Sequence, residues 1–121
     1  AEAVTLVNTV VGMAIDVETR RPVLGAQRGG LSGRAVHPVA VRAVFDVHQA
    51  LPDLPIVGVG GVACGTDAVE LLLAGASAIQ VGTATFADPR APHRVALELD
   101  AWCDAHGIGS VSELVGAAHR A

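Results

Sequence analysis

Two apolar segments of this chain end in glycine turns and run directly into helical sequence, and this repeat limits the fold more than any other feature. The first segment is PIVGVGG at residues 55–61, and the second is SAIQVGT at residues 77–83. A short apolar run that stops at glycine before a helix is typical of a buried strand in an α/β protein. We therefore predict two parallel strands, because strands joined through a helix run in the same direction.

The first half of the chain adds a third strand and an irregular connection. Residues 4–7 (VTLV) predict a strand whose polar end, Asn8 and Thr9, points into a site. Residues 12–33 predict a connecting insertion that contains a small hairpin. A helix is predicted from Pro38, because an apolar stripe with helical spacing continues from there to residue 51.

The second half of the chain predicts three more helices. Asp67 with Glu70 resembles a capping box and predicts a helix that ends at Gly75. Another helix is predicted from Pro92 to Gly107, with Cys103 on its buried face. Ser110 with Glu113 is a second capping box, which predicts a short final helix.

This order of elements predicts an α/β fold, either a doubly wound sheet or a piece of a β/α barrel. Residues 1–121 are interpreted as one partial domain, because three parallel strands would leave two long sheet edges open. The absence of an initiator methionine and the early first strand lead us to expect a longer parent chain.

Composition excludes several functional classes. The formal net charge is −4 and the eight Lys and Arg residues form no basic stripe, so nucleic acid is not an expected partner. No apolar run approaches the roughly 18 residues that a membrane span needs. Cys64 and Cys103 lie far apart without zinc-ligand spacing, so we expect neither a metal nor a disulfide, and a cytoplasmic location.

The glycine turns allow three interpretations. Gly58, Gly60 and Ala63 spell the dinucleotide pattern G-x-G-x-x-A, but no acidic residue ends the following strand, as that pattern requires. Two consecutive strand ends with bare backbone N–H groups suit a phosphate, and β/α barrels place a phosphate site after strands seven and eight. The third interpretation is that the glycines serve only tight turns and close packing.

Several motifs together resemble one family. VNT, RGGLSGRAVHPVA, PIVGVGGV, LLLAGASAIQVGTATFADP and GIGSVSELVG occur in order across nearly the whole chain. They resemble the C-terminal part of dihydroorotate dehydrogenase, most closely the NAD-linked class 1B. The resemblance implies strands 6 to 8 of a (β/α)8 TIM barrel that binds FMN and oxidises dihydroorotate to orotate in pyrimidine (UMP) biosynthesis.

The resemblance also implies roles for individual residues. Asn8 and Thr9 would hydrogen-bond orotate. The residues expected at the flavin or its phosphate are Val7, Gly33, Gly60, Gly61, Gly82 and Thr83. Implied partners are the substrate, an electron-transfer subunit with FAD and an iron–sulfur cluster, and further copies of the same chain.

The catalytic cysteine of the family is not expected among these 121 residues. We predict no catalytic residue here and no dehydrogenase activity for this segment alone. Val11, Arg34 and His37 depart from the residues usual in class 1B. The alternatives are a non-catalytic half-barrel that binds phosphate or dimerises through its strand edges, and a different FMN- or phosphate-binding TIM-barrel enzyme.

Overall fold

The computed structural model describes residues 1–121 and contains seven short strands and four helices. The strands are Val4–Leu6 (β1), Val10–Gly12 (β2), Ile15–Asp16 (β3), Arg21–Pro22 (β4), Gly29–Leu31 (β5), Ile56–Val59 (β6) and Ala78–Gln80 (β7). The helices are His37–Ala50 (α1), Gly65–Ala74 (α2), Ala84–Ala87 (α3) and Ala91–Ala105 (α4). Three 3₁₀ turns occupy Arg34–Val36, Val111–Glu113 and Ala117–His119.

A three-stranded parallel sheet organises the fold, in the order β1-β6-β7. Val4 lies opposite Ile56, and Val57 lies opposite Ala78. Each connection steps one strand in the same direction, so right-handed crossovers place α1 and α2 on the same face of the sheet. The predicted α/β class is confirmed, and the one-sided arrangement is that of a barrel wall rather than of a doubly wound sheet.

The core lies between this sheet and the two crossover helices. Its nine buried residues are mostly small, namely Ala40, Val44, Ile56, Val62, Ala68, Leu71, Ala74, Ala76 and Val95. Gly58 belongs to the same contact, because a Cβ there would lie 3.0 Å from Cβ of Ala76. The two faces of β6 differ in burial: Ile56 and Gly58 are buried, whereas Val57 and Val59 are half-buried.

Residues 10–31 form two antiparallel pairs between β1 and α1. Strand β2 pairs with β5, and the two-residue strands β3 and β4 pair within that segment. Asp16 stabilises the β3–β4 turn by accepting hydrogen bonds from the N–H groups of Glu18 and Thr19, at 2.9 and 3.0 Å. These side chains lie at the surface, because no helix covers this ribbon.

The predicted start of α2 is wrong by about one turn. The helix begins at Gly65 with Cys64 as its N-cap, and Asp67 is the third helical residue rather than the cap. Its carboxylate reaches back to the N–H groups of Ala63 and Cys64, at 2.9 and 3.1 Å. The acidic residue of the capping box lies inside the helix, and the sequence gives no sign of this because the true cap is a cysteine, which is not a usual N-cap residue.

The final segment consists of 3₁₀ turns instead of the predicted helix. The capping box of Ser110 and Glu113 is present, but the turn that follows ends at Glu113. Gly116 adopts a left-handed conformation with φ of 70° and its N–H donates to the carbonyl oxygen of Leu72 at 2.9 Å. This contact with α2 interrupts a continuous helix. None of the helices combines the length and apolar character needed to cross a lipid bilayer.

Candidate functional site

A cleft of about 190 Å³ opens at the carboxyl ends of the parallel strands. Parallel strands bring their carboxyl ends to one edge of the sheet, which is where α/β proteins bind ligands. All eight residues singled out in the sequence line this cleft, namely Val7, Asn8, Thr9, Gly33, Gly60, Gly61, Gly82 and Thr83. Leu31, Ser32, Val36 and Val59 complete the lining.

Four separate segments supply these residues. Val7 to Thr9 follow β1, Gly60 and Gly61 follow β6, and Gly82 and Thr83 follow β7. Gly33 precedes α1 and has φ of 86°, a conformation that favours glycine. The sheet thus brings together positions that are up to 76 residues apart in the sequence.

Asn8 is held in one orientation by its neighbour. Its side-chain oxygen accepts a hydrogen bond from the backbone N–H of Thr9 at 2.7 Å. An N–H can only donate, so the oxygen of the amide must face it. The NH₂ group of Asn8 then has no acceptor within the protein and remains available as a donor in the cleft.

Gly60 and Gly61 allow the chain to turn against α1. Their φ angles are 140° and 66°, both in the region that disfavours other residues. A Cβ on Gly61 would lie 2.7 Å from the carbonyl oxygen of Gly33 and 2.9 Å from the backbone nitrogen of His37. Both neighbours are backbone atoms that cannot swing aside, so this position requires glycine.

The loops after β6 and β7 present backbone N–H groups without partners. The N–H groups of Gly60, Gly61 and Val62, and those of Gly82 and Thr83, donate to no acceptor within the protein. Val62 is only 3% exposed, and buried N–H groups without a partner are rare in native proteins. Such converging donors suit an anion such as phosphate.

A second cleft of about 310 Å³ adjoins the first and shares Gly33, Gly61 and Thr83 with it. Its charged lining residues are Arg34, Arg94 and Asp88. The guanidinium of Arg94 also donates to the carbonyl oxygen of Ala63 at 3.1 Å. The two clefts therefore meet at Gly61, and charged side chains line only the second one.

A charged cluster behind this loop was not predicted from the sequence. Arg34 and the buried Asp67 form an ion pair. His37 is 6% exposed, and its Nδ1 lies 2.8 Å from the carbonyl oxygen of Gly60. Its Nε2 lies 2.9 Å from a carboxylate oxygen of Glu70. No local pattern could have revealed these contacts, because they join residues 23 to 33 positions apart.

The pKa of Asp67 reflects these contacts. Burial alone raises the pKa of this carboxyl. Hydrogen bonds from Ala63 and Cys64 and the neighbouring side chains of Arg34 and His37 outweigh burial, so the pKa lies below its usual value. Asp67 is therefore a carboxylate at neutral pH and can hold the loop before α2.

Glu98 holds the same loop from α4. Its carboxylate accepts hydrogen bonds from the N–H of Gly65 at 2.6 Å and from Arg94 at 2.9 Å. These two bonds, the one from Gly65 foremost, lower the pKa of Glu98. Two carboxylates from two helices thus fix residues 63–65.

His37, Asp67 and Glu70 also offer three potential metal-ligand atoms within 4.8 Å of one another. No motif along the sequence predicts this cluster. Both ring nitrogens of His37 face protein oxygens, and Asp67 is engaged by Arg34 and two backbone N–H groups. The protein itself therefore satisfies these groups as a hydrogen-bonded network.

Comparison with known proteins places this geometry in a family. Residues 1–102 match the family described as dihydroorotate dehydrogenase. The chain belongs to the dihydroorotate dehydrogenase family. A crystal structure of such an enzyme from Eimeria tenella, in complex with ferulenol, is 30% identical and superimposes with a TM-score of 0.83, over 99% of this chain and 32% of that one.

Curated relatives of the dihydroorotate dehydrogenase family are closer in sequence. The catalytic subunit of dihydroorotate dehydrogenase B (NAD(+)) from Geobacter sp. strain M21 is 54% identical over 97% of this chain. A protein of Solibacter usitatus with the provisional name dihydroorotate dehydrogenase A (fumarate) is 53% identical over 96%. The chain spans 38% of the length of both relatives.

Neither cysteine of this dihydroorotate dehydrogenase segment lines the cleft beside Asn8. The Sγ of Cys64 lies 3.2 Å from the hydroxyl of Thr66 at the start of α2. Cys103 is 7% exposed, and burial, followed by nearby carboxylates such as Asp100, raises the pKa of its thiol. Cys103 packs with Leu72 and Leu114 and is therefore a core residue, as predicted.

Proposed function

We propose that this chain is the C-terminal part, with about strands 6 to 8 of the barrel, of an FMN-dependent dihydroorotate dehydrogenase of the NAD-linked type. The parent protein oxidises dihydroorotate to orotate in pyrimidine biosynthesis. The observation that carries the proposal is the convergence of all eight predicted site residues on one cleft. Membership of the family supports the activity, and the naming of relatives such as the Geobacter protein as NAD-linked catalytic subunits supports the type.

The cleft has the features that FMN requires. Unpartnered N–H groups on the loops after β6 and β7 would hold the phosphate, since Gly60, Gly61, Gly82 and Thr83 leave the backbone exposed to it. Val7 and Gly33 would line the flavin ring. When bound, FMN supplies the acceptor for hydride from the substrate.

Asn8 and Thr9 would bind the substrate. The NH₂ group of Asn8 can donate to a carboxylate or ring carbonyl, and its orientation is set in advance by the bond to Thr9. The hydroxyl of Thr9 can both donate and accept. These two residues would thus orient dihydroorotate without moving a proton themselves.

The catalytic base is proposed to lie in the part of the protein outside residues 1–121. Neither Cys64 nor Cys103 faces the cleft, so this segment offers no thiol for that step. We propose that electrons leave through a separate subunit with FAD and an iron–sulfur cluster. The isolated segment is expected to show no dehydrogenase activity.

The proposed function is tested with the full-length protein under anaerobic conditions. We expect a flavin absorption spectrum that bleaches when dihydroorotate is added and returns when the electron-transfer subunit and NAD⁺ follow. Bound FMN that stays oxidised with dihydroorotate would contradict the substrate and indicate another flavin barrel. If no flavin binds even after FMN is added, the glycine turns have only a structural role.

Replacing Asn8 with alanine tests the substrate site. The loss of one hydrogen-bond donor in the cleft is expected to raise KM for dihydroorotate about tenfold, which corresponds to roughly 1.4 kcal/mol. The flavin content should stay the same, because the flavin contacts are on other residues. Steady-state kinetics measure KM, and Gln49→Ala, an exposed amide on α1, is the control. An unchanged KM would remove Asn8 from the substrate site.

A further inference from the structure

His37 occupies an unusual position at the first residue of α1. Its side chain is 8% exposed and lies directly behind the loop that follows β6. His37 itself lines neither cleft, although it contacts Gly60, which lines the first one. Its role in a binding site would therefore be indirect.

The two contacts of His37 both require a donor. The carbonyl oxygen of Gly60, 2.8 Å from Nδ1, can only accept, and so can an ionised carboxylate such as Glu70, 2.9 Å from Nε2. Nδ1 therefore carries a proton and donates to Gly60. Asp67 lies 3.8 Å from Nε2, and the nearby positive group is Arg34, which pairs with Asp67.

The bond to Gly60 fixes the direction of the next N–H. The carbonyl of Gly60 and the N–H of Gly61 belong to one planar trans peptide, in which the two groups point in opposite directions. The carbonyl points to His37, so the N–H of Gly61 points away from α1. That N–H has no acceptor within the protein, and Gly61 lines both clefts.

Two adjacent glycines make this peptide free to rotate. Gly60 and Gly61 have no Cβ to restrict φ and ψ, and glycine loses more conformational freedom on ordering than any other residue. A buried donor that binds the carbonyl removes this freedom before a ligand arrives. Such preorganisation increases affinity for a ligand that uses the N–H.

We propose that His37 is a positioning residue that holds the Gly60–Gly61 peptide with its N–H directed at the phosphate of the flavin nucleotide. This inference rests on the proposed function, because it requires FMN as the ligand. It assigns to His37 a share of the selectivity for FMN over riboflavin, which has the same ring and no phosphate.

The test uses flavin-free full-length protein and titration with FMN and with riboflavin. His37→Leu removes the donor and keeps an apolar side chain, and we expect the Kd for FMN to rise about tenfold while that for riboflavin changes less than about twofold. His37→Asn should restore FMN binding to within about twofold, since its side-chain NH₂ occupies the place of Nδ1. His93→Leu, at an exposed histidine in the first turn of α4, is the control.

The outcomes separate the two proposals. An equal loss of FMN and riboflavin in His37→Leu would show a merely structural role and overturn the inference. Unchanged FMN affinity in His37→Leu, or no rescue by His37→Asn, would also overturn it. If the unaltered protein binds neither flavin, the proposed function itself fails. Flavin binding by the unaltered protein is therefore measured before that of any variant.

Discussion

Replacing Gly61 with alanine is expected to reduce the affinity of the full-length protein for FMN by about 100-fold or more. The positive φ of 66° costs a residue with a side chain roughly 1–2 kcal/mol. The new Cβ would also lie 2.7 Å from the carbonyl oxygen of Gly33 and 2.9 Å from the backbone nitrogen of His37. The loop must then move away from α1, and roughly 2.7 kcal/mol of lost binding corresponds to a 100-fold change.

Fluorescence titration of flavin-free protein measures this effect. Gly12→Ala is the matched control, because a Cβ at Gly12 meets nothing within 4 Å and this glycine lies in β2, outside both clefts. Its affinity for FMN should equal that of the unaltered protein. If Gly61→Ala binds FMN normally, the loop after β6 is not part of the phosphate site.

Replacing Asp67 with alanine is expected to lower the free energy of unfolding by about 2–4 kcal/mol. The change leaves the N–H groups of Ala63 and Cys64 without their acceptor and Arg34 without its partner. Each polar group left unsatisfied in a poorly hydrated site costs roughly 1–3 kcal/mol. Asp67→Asn keeps an acceptor and should cost less, about 1 kcal/mol.

Urea unfolding of the flavin-free, full-length protein measures this cost as a shift in the midpoint. Asp46→Ala is the control, because Asp46 forms an exposed ion pair with Arg42 one helical turn away, and such pairs contribute less than about 1 kcal/mol. Equal small shifts in Asp67→Ala and Asp46→Ala would show that the buried network adds no stability.

The effect of Asp67 should depend on pH in a defined direction. The pKa of Asp67 is lower in the folded protein than in the unfolded chain. Its contribution to the free energy of unfolding is therefore complete at pH values above the unfolded pKa of about 4. The contribution is lost as the pH falls through the lower, folded pKa. The difference in free energy of unfolding between the unaltered protein and Asp67→Ala should therefore become smaller on acidification and stay constant from about pH 5 to pH 7.

Local sequence patterns predicted the elements that make the cleft. Apolar runs ending in glycine correctly indicated β6 and β7, and Pro38 correctly indicated the first turn of α1. The start of α2 was misplaced, because a cysteine cap gives no recognisable signal. The final helix was wrong, because Gly116 bonds to Leu72 in α2 and breaks the turn, a contact that capping rules do not contain.

What the sequence by itself determined is the α/β order, the family, and the eight residues that line one cleft. The order of elements follows from periodicity and glycine turns within a few residues of each other, whereas the family and the eight residues follow from the resemblance that the short motifs carry. The tertiary structure alone decided that the helices share one face of the sheet, and that Arg34, His37, Asp67 and Glu70 meet behind the loop after β6. The physical reason is that these side chains come from α2 and from α1 with the 3₁₀ turn before it. The approach of these elements is set by packing of the core, and no pattern along the chain records it.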